Sequence, residues 1–574
     1  LRDHYIDSES KLLSIHRLRP IYEKAATTAW NLHKKQANEA YKLSIFDYAE
    51  HSKSALLNEN ILKFRNNYTE GGTGISKELL QKEETYIVQI GQCKEHILEA
   101  KKEQNKTKEA AYLQKILLLE QELDAFEQHL QETYPSYRSW DHGRDSIVSP
   151  KEVQAHLAAD ELFIEYFISD QHFFVIYISK EVVKIKEVPD FDAALFNEKI
   201  HNLRHSLSNV SFIIQEEKKA YQLFCSTAHW LYTNCLEDEL LIGKKHLIIV
   251  PDRGLHYVPF EVLLTKQNKH KGIDYQSLPY LIQEYAIHYE YSAAIMVNNQ
   301  RKVNTTNGKI LGFAANYGKQ FDYKKFPSQL TKERSAEETH THNSAAPIPG
   351  TITELAQIEQ RFKGDFYTHE AANERNFKQQ LKHQNYSVVH LAMHGIVDYN
   401  HPAYSALLFT ENLDSLEDNL LYSYETQHLN GNHANLVVLS ACKTGYGKYA
   451  QGEGIISLGR SFMYAGVPSI VMTLWELNDE TSIEVVQSFY TGLANGLTKD
   501  QAMQQAKIEY LQNNTGFTAH PFFWASMICI GDQQAIPLTQ RPLDWYWYVL
   551  GAVGFWVLFL ILRSRINIYV QDKI

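Results

Sequence analysis

Cysteine is scarce in this sequence. Five thiols (Cys93, Cys225, Cys235, Cys442 and Cys529) are spread over 574 residues, and no two stand in a CxxC spacing. So small and odd a set excludes a disulfide framework and a structural zinc knot, and it leaves at least one thiol free. Long runs of lysine or arginine are also missing, and the net charge is −11. Without a basic footprint the chain is not a nucleic-acid scaffold. Gly452 and Gly454 are spaced like part of a phosphate loop, but no Lys-Ser/Thr follows them, so no nucleotide cofactor is expected. The sequence opens at Leu1 directly in helical pattern. A fragment or processed product is expected, and the lack of a leader therefore carries no weight.

What is present divides by period. Residues 1–70 repeat alanine, leucine and tyrosine at three- and four-residue steps, which predicts helices. Within them AYKLSIFDYAEHSKSALL, with Phe46, Tyr48 and Ala49, reads as half of a tetratricopeptide-like helical hairpin. Glycines at 71, 72 and 74 end that block. Two long helices are predicted over 76–103 and 106–132, the second with a seam of Leu113, Ile116, Leu119, Leu123, Phe126 and Leu130. That pair reads as a helical hairpin or coiled coil over 76–132.

From about residue 145 the pattern becomes α/β. Ser149, Pro150 and Glu152 form a helix start with a capping box. Residues 162–169 and 173–179 read as a β-hairpin, and HLIIV at 246–250 as a buried strand. A polar linker spans 315–348, after which Thr351 and Glu354 predict a second capping box. Strands at 386–392, 436–440, 467–474 and 524–530 then alternate with helices at 454–465, 482–495 and 499–512. Such alternation predicts a mostly parallel sheet with helices on both faces.

Working residues in such sheets sit just past the carboxyl ends of strands. Two apolar strands here end suggestively, SVVHLAMHG with His394 and Gly395, and LVVLSACKTG with Cys442. Forty-eight residues separate His394 from Cys442, against roughly fifty in caspases. An imidazole and a thiol on neighbouring strand tips provide what thiol activation needs. His390 lies inside its strand and reads as a core histidine. On a strand it would stand about 13 Å from His394, so the two share no metal. The other four cysteines fall in apolar patterns and read as structural.

With these residues in view, the chain resembles the CHAT-domain family, caspase-like peptidases found beside tetratricopeptide repeats and related in fold to separase and caspases. The resemblance rests on SPKEVQAHLAADELFIEYF, LIIVPDRGLHYVPFEVLL, VVHLAMHGIVD, VVLSACKTGYG, EGIISLGRSFMYAGVPSIVMTLWELND and HPFFWASMICIGD, in that order. It implies a caspase-like domain over 145–535, with an inactive pseudo-protease half at about 145–300 and an active half at 306–535. It implies His394 as the catalytic histidine and Cys442 as the nucleophile. The N–H groups of Gly395 and Cys442 become the oxyanion hole, with no third carboxylate and no metal. The resemblance further implies that Trp475, Glu476 and Asp479 wall the pocket for the residue before the scissile bond. Asp479 reads equally as a cap of the following helix. The expected function is a cysteine endopeptidase acting on a protein substrate and governed by a protein partner on the helical repeats. The alternative is a catalytically silent interaction scaffold.

One long apolar run remains. WYWYVLGAVGFWVLFLIL at 545–562 carries no charge and is followed by Arg563 and Arg565. Eighteen helical residues rise about 27 Å, which predicts a single transmembrane helix with a cytoplasmic C-terminal tail.

Overall fold

The apolar runs of the α/β region collect into one sheet of eleven strands. The computed structural model describes residues 8–68, 76–102, 104–134, 148–269, 272–300, 307–317, 348–398, 401–411, 417–426, 429, 434–441, 444–445, 447–450, 452–476, 479–541 and 556. In chain order the strands are β1 (Glu161–Ile168), β2 (Phe173–Ile178), β3 (Val183–Glu187), β4 (His246–Val250), β5 (Ala286–Tyr289), β6 (Ile310–Ala314), β7 (Gly364–Thr368) and β8 (Val388–Ala392). They continue as β9 (His394–Ile396), β10 (Ala406–Leu408), β11 (Leu420–Tyr422), β12 (Leu436–Ser440), β13 (Gly447–Ala450), β14 (Gly454–Ser457), β15 (Ser469–Thr473) and β16 (Met527–Gly531).

The large sheet has the order β3-β2-β1-β4-β5-β16-β15-β12-β8-β6-β7. Strands β1, β4 and β5 run parallel, and so do β15, β12, β8, β6 and β7. Between these groups β16 is parallel to β5 and antiparallel to β15. The two halves therefore run in opposite directions within one continuous sheet. Every residue of β8, β12 and β15 is buried, as expected of strands covered by helices on both faces. Helix 349–361 packs over β6, β7 and β8, and helix 499–513 lies over β5 and β16, across the join between the halves.

The first three helices pack on the sheet. Helix Glu39–His51 starts on Asn38, whose side chain accepts the N–H of Ala40. Its buried Ile45, Phe46 and Ala49 share a core with Phe163, Phe167 and Phe174 of the sheet. Helices Lys77–Lys102 and Lys106–Thr133 pair through Ile90, Cys93, Ile97, Ile116 and Leu119. Leu113 departs from the predicted seam: it is 52% exposed, beside exposed Leu117 and Leu118, because the facing helix is covered by Ile116 and Leu119 one turn away.

Several expectations need correction. Residues 454–457 are strand β14, and the helix starts only at Leu458, because an antiparallel partner, β13, claims the first four positions. The capping box at Thr351 does not form. That helix begins at Pro349, Thr351 Oγ1 donates to the carbonyl of Ile348, and Glu354 is drawn inward to His390. The box at Ser149 and Glu152 is present. The membrane assignment is overturned: no helix among the described residues is long and apolar enough to cross a membrane. The long described helices, Ser8–Gln36 and Lys106–Thr133, each carry several charged side chains, which a bilayer core does not accept. The apolar run at 545–562 lies outside the described residues apart from Trp556, and the single-pass topology and tail orientation argued from it are withdrawn.

Candidate active site

Strands β8 and β12 are parallel neighbours, and their register pairs Val388 with Leu436 through to Ala392 with Ser440. His394 and Cys442 each follow two residues after that last rung. Cys442 itself lies outside the described residues, but the chain on both sides is held firmly. Thr473 Oγ1, at the end of β15, donates to the carbonyl of Ala441 at 2.6 Å. Gly445 N–H donates to the carbonyl of Thr473 at 2.8 Å. A Cβ at Gly445 would stand 3.0 Å from that same oxygen, so a side chain there would press the turn off β15.

His394 is half-buried and opens β9, the edge strand of a small antiparallel sheet with β10 and β11. Its rung partner is Leu408, and Gly395 pairs with Leu407. The ring of Tyr317 lies against the imidazole, centroids 4.7 Å apart and planes at 37°. His390 is a core residue, as expected. Its Nε2 meets Glu354 Oε1 at 2.9 Å and its Nδ1 meets the hydroxyl of Tyr490 at 3.1 Å, with no exposed surface. Buried polar groups persist when they are partnered in this way. Cys93, Cys225, Cys235 and Cys529 are buried free thiols. Burial pushes Cys235 and Cys529 well above the ordinary thiol range, which makes them inert.

The hairpin β13–β14 follows Cys442 by five residues and leads away from it toward the other half. There it meets the N-terminal helices. Ser54 N–H donates to the carbonyl of Gly452 at 2.6 Å, and Leu56 N–H donates to Glu453 Oε1 at 2.9 Å. Glu453 and Arg460 form a fully buried pair, and the guanidinium lies 5.1 Å over the ring of Tyr291. Beside them Arg19 reaches Asp252, Ser52 and the carbonyl of Ile168, and Lys53 bonds Glu165 Oε1 at 2.8 Å. Burial would raise Asp252, but Arg19, Lys53 and the Ile168 amide together hold it below the carboxylate range. Glu50 differs: burial and the nearby Glu165 push it up to about 8, although Ala293 and Ala294 donate their N–H groups to it. His256, in the same cluster, is pushed down to about 3 by burial and is neutral.

Of the expected pocket residues, Trp475 is only 7% exposed, with its indole N–H on the carbonyl of Phe522 at 2.9 Å. Glu476 is exposed. Asp479 is the first residue of helix Asp479–Ala494, and its side chain is not among those described. Among the described residues one acidic trio has metal-like proximity, Glu374, Glu417 and Glu425. Lys378 Nζ stands 2.7, 2.7 and 2.9 Å from them and supplies the cation itself.

The network around Glu453 was missed from sequence. Its one signal was Arg460, a charge in an otherwise apolar helix start, which demands a buried partner. Tyr317 gave no signal, because it lies in the stretch read as polar linker from residue 315, whose Ala315 and Tyr317 are in fact buried and bonded to β8 and β10.

Comparison with known proteins places these observations. A family model described as "CHAT domain" matches residues 226–532, more than half of the chain. Tetratricopeptide repeat protein 28 of Mus musculus and that of Homo sapiens are each 32% identical over 96 residues. That stretch is 17% of this chain and spans only 4% of those relatives. Among solved structures, the Saccharomyces cerevisiae separase–securin complex at 3.0 Å is similar with a TM-score of 0.38 and 9% identity, covering 66% of this chain and 30% of that one. The 2.6 Å structure of that complex gives 0.39 and 9%, covering 92% and 41%.

Proposed function

The chain belongs to the CHAT domain family, and we propose that within it this protein is a cysteine endopeptidase with His394 and Cys442 as its catalytic pair. The observation that carries the reading is the register of β8 on β12, which sets Ala392 beside Ser440. Both strands end at the same edge of the sheet, and in the sequence a histidine and a cysteine each follow two residues later. In the proposed reaction the imidazole takes the thiol proton and sulfur attacks the scissile carbonyl carbon, forming the C–S bond. The N–H groups of Gly395 and Cys442 receive the oxyanion. The C–N bond then breaks as the imidazolium protonates the leaving amine, and water hydrolyses the thioester with the same imidazole as base.

Trp475, Glu476 and Asp479 follow β15 on the same rim, and we assign them to the pocket for the residue before the scissile bond. A carboxylate there selects arginine or lysine. The bonds from Ser54 and Leu56 to the hairpin after Cys442 support control of the site by a protein bound to the helical region.

The test is an electrophilic peptide, an arginyl acyloxymethyl ketone, applied to wild type, Cys442→Ala and His394→Ala. Wild type is labelled at Cys442 and both variants are not, while their unfolding curves match wild type. Labelling or peptide cleavage retained by purified Cys442→Ala would sink the peptidase reading and leave the scaffold alternative.

A further inference from the structure

The resemblance assigns the dyad no third carboxylate, and the structure shows one side chain that holds the histidine from both backbone and ring. Tyr317 is 3% exposed. Its hydroxyl accepts the backbone N–H of His394 at 2.9 Å and donates to the carbonyl of Leu408 at 2.6 Å. His394 and Leu408 are the two members of one rung between β9 and β10. The hydroxyl therefore links both sides of the rung that carries the histidine, while the ring packs on the imidazole. Tyr317 is in turn anchored through its neighbours. Ala315 N–H donates to the carbonyl of Ala392 at 3.1 Å, and Asn316 N–H donates to Thr410 Oγ1 at 2.9 Å. The first of these bonds reaches the end of β8 and the second the segment just after β10. Backbone and ring of His394 are thus fixed by one residue whose own place is set from two elements.

Resting on the peptidase reading, we propose that Tyr317 is the positioning residue of the dyad, doing for His394 what an orienting carboxylate does in a triad. A hydroxyl bound to the main chain and a ring laid on the imidazole restrict where the histidine can turn without adding charge. The imidazolium then keeps its thiolate partner by geometry. A purely structural tyrosine would instead affect folding and leave the ionisation of the thiol unchanged.

The experiment follows alkylation of Cys442 by iodoacetamide from pH 5.5 to 9.5, read by mass spectrometry of the peptide containing it. The four described cysteines are buried and give little background. Wild type is expected to react well below the range of a free thiol, and His394→Ala to lose that low-pH reactivity. Tyr317→Phe, which keeps the ring and removes both hydrogen bonds, should lower the rate at pH 6 by about tenfold or more and leave the rate at pH 9.5 close to wild type. Tyr317→Leu should fall further at pH 6. Coincident profiles for wild type and Tyr317→Phe, or a loss equal at all pH values, would overturn the positioning role while the dyad stands. Coincident profiles for wild type and His394→Ala would overturn the dyad, and this inference with it. If Tyr317→Phe does not fold, 3-fluorotyrosine at position 317 alters the hydroxyl without changing the ring's packing and is judged by the same two rates.

Discussion

Glu453 and Leu56, 397 residues apart in sequence, meet through the carboxylate of one and the backbone N–H of the other at 2.9 Å. The same carboxyl group balances Arg460, so one side chain joins the N-terminal helices to the segment that follows Cys442. Removing it leaves a fully buried guanidinium unpaired. Glu453→Ala is expected to cost about 3–5 kcal/mol in urea unfolding, since a broken buried pair strands its partner. Glu453→Gln, which can still accept the Leu56 N–H, should cost less. Equal losses for the two would show that the Leu56 hydrogen bond contributes nothing and that the lost charge carries the whole cost.

Cohesion of the two half-sheets is expected to depend on pH through His246 and Asp500. Asp500, on the helix across the join, stands 2.6 Å from His246 Nδ1 on β4 and 3.6 Å from His288 on β5. The hydrogen bond to Asp500 raises His246 above the ordinary histidine value, with Glu161 and Asp160 adding to it against burial. Burial would raise Asp500, but the two histidines hold it below the carboxylate range. A raised histidine contributes fully below its unfolded value of about 6.5 and loses that contribution as pH rises through its folded value. A depressed aspartate contributes above its unfolded value of about 3.9 and loses its share as pH falls through its folded value. The pair therefore works best between about pH 4 and 6.5. His246→Gln should cost roughly 1–2 kcal/mol at pH 6 and clearly less at pH 9. A loss independent of pH would exclude the charged pair.

Gly454 has φ +77°, and a Cβ there would stand 2.9 Å from the half-buried ring of His256. Gly454→Ala is expected to destabilise by about 1–3 kcal/mol, through left-handed backbone strain and displacement of the ring. Because Gly454 opens β14, cleavage or probe labelling should fall with it. A variant with unchanged melting and unchanged labelling would show that the hairpin tolerates displacement.

Pocket selectivity is the fourth test. A positional peptide library should show arginine or lysine before the scissile bond in wild type, with that preference reduced by Asp479→Ala, by Glu476→Ala or by both. An uncharged preference in wild type would rule out the acidic pocket. So would an arginine preference that survives both substitutions.

Legibility followed locality. β4 and β12 were readable to the residue, because runs such as HLIIV and LVVLS, buried on both faces, admit no other reading. His394 stands two residues past the end of β8 as read, but β9, the strand it opens in a separate small sheet, was not foreseen. What escaped depends on partners distant in sequence. β3 (Val183–Glu187) has one buried residue in five and no alternation strong enough to announce it. β14 looked helical because only β13 reveals it as a strand. Thr351 and Glu354 matched a capping box by spacing, but His390, 36 residues away, claims the glutamate. Tyr317 stands at the end of an undistinguished segment, and its two hydrogen bonds are made to residues 77 and 91 positions later.

The position of β16 bears on how the protein is made. Among the strands described it is last in the chain, yet it lies in the middle of the sheet, pairing β5 on one side and β15 on the other. A nascent chain emerging from the ribosome therefore carries two unjoined half-sheets until residues 527–531 have been synthesised. Until then the edges of β5 and β15 are both open and both apolar, the kind of surface that recruits other strands. Translation that stops short of Met527 would yield a chain containing His394, Cys442 and every flanking helix of both halves, but with two unpaired seams and a tendency to aggregate. Among the described strands, the sheet closes only when its last one arrives.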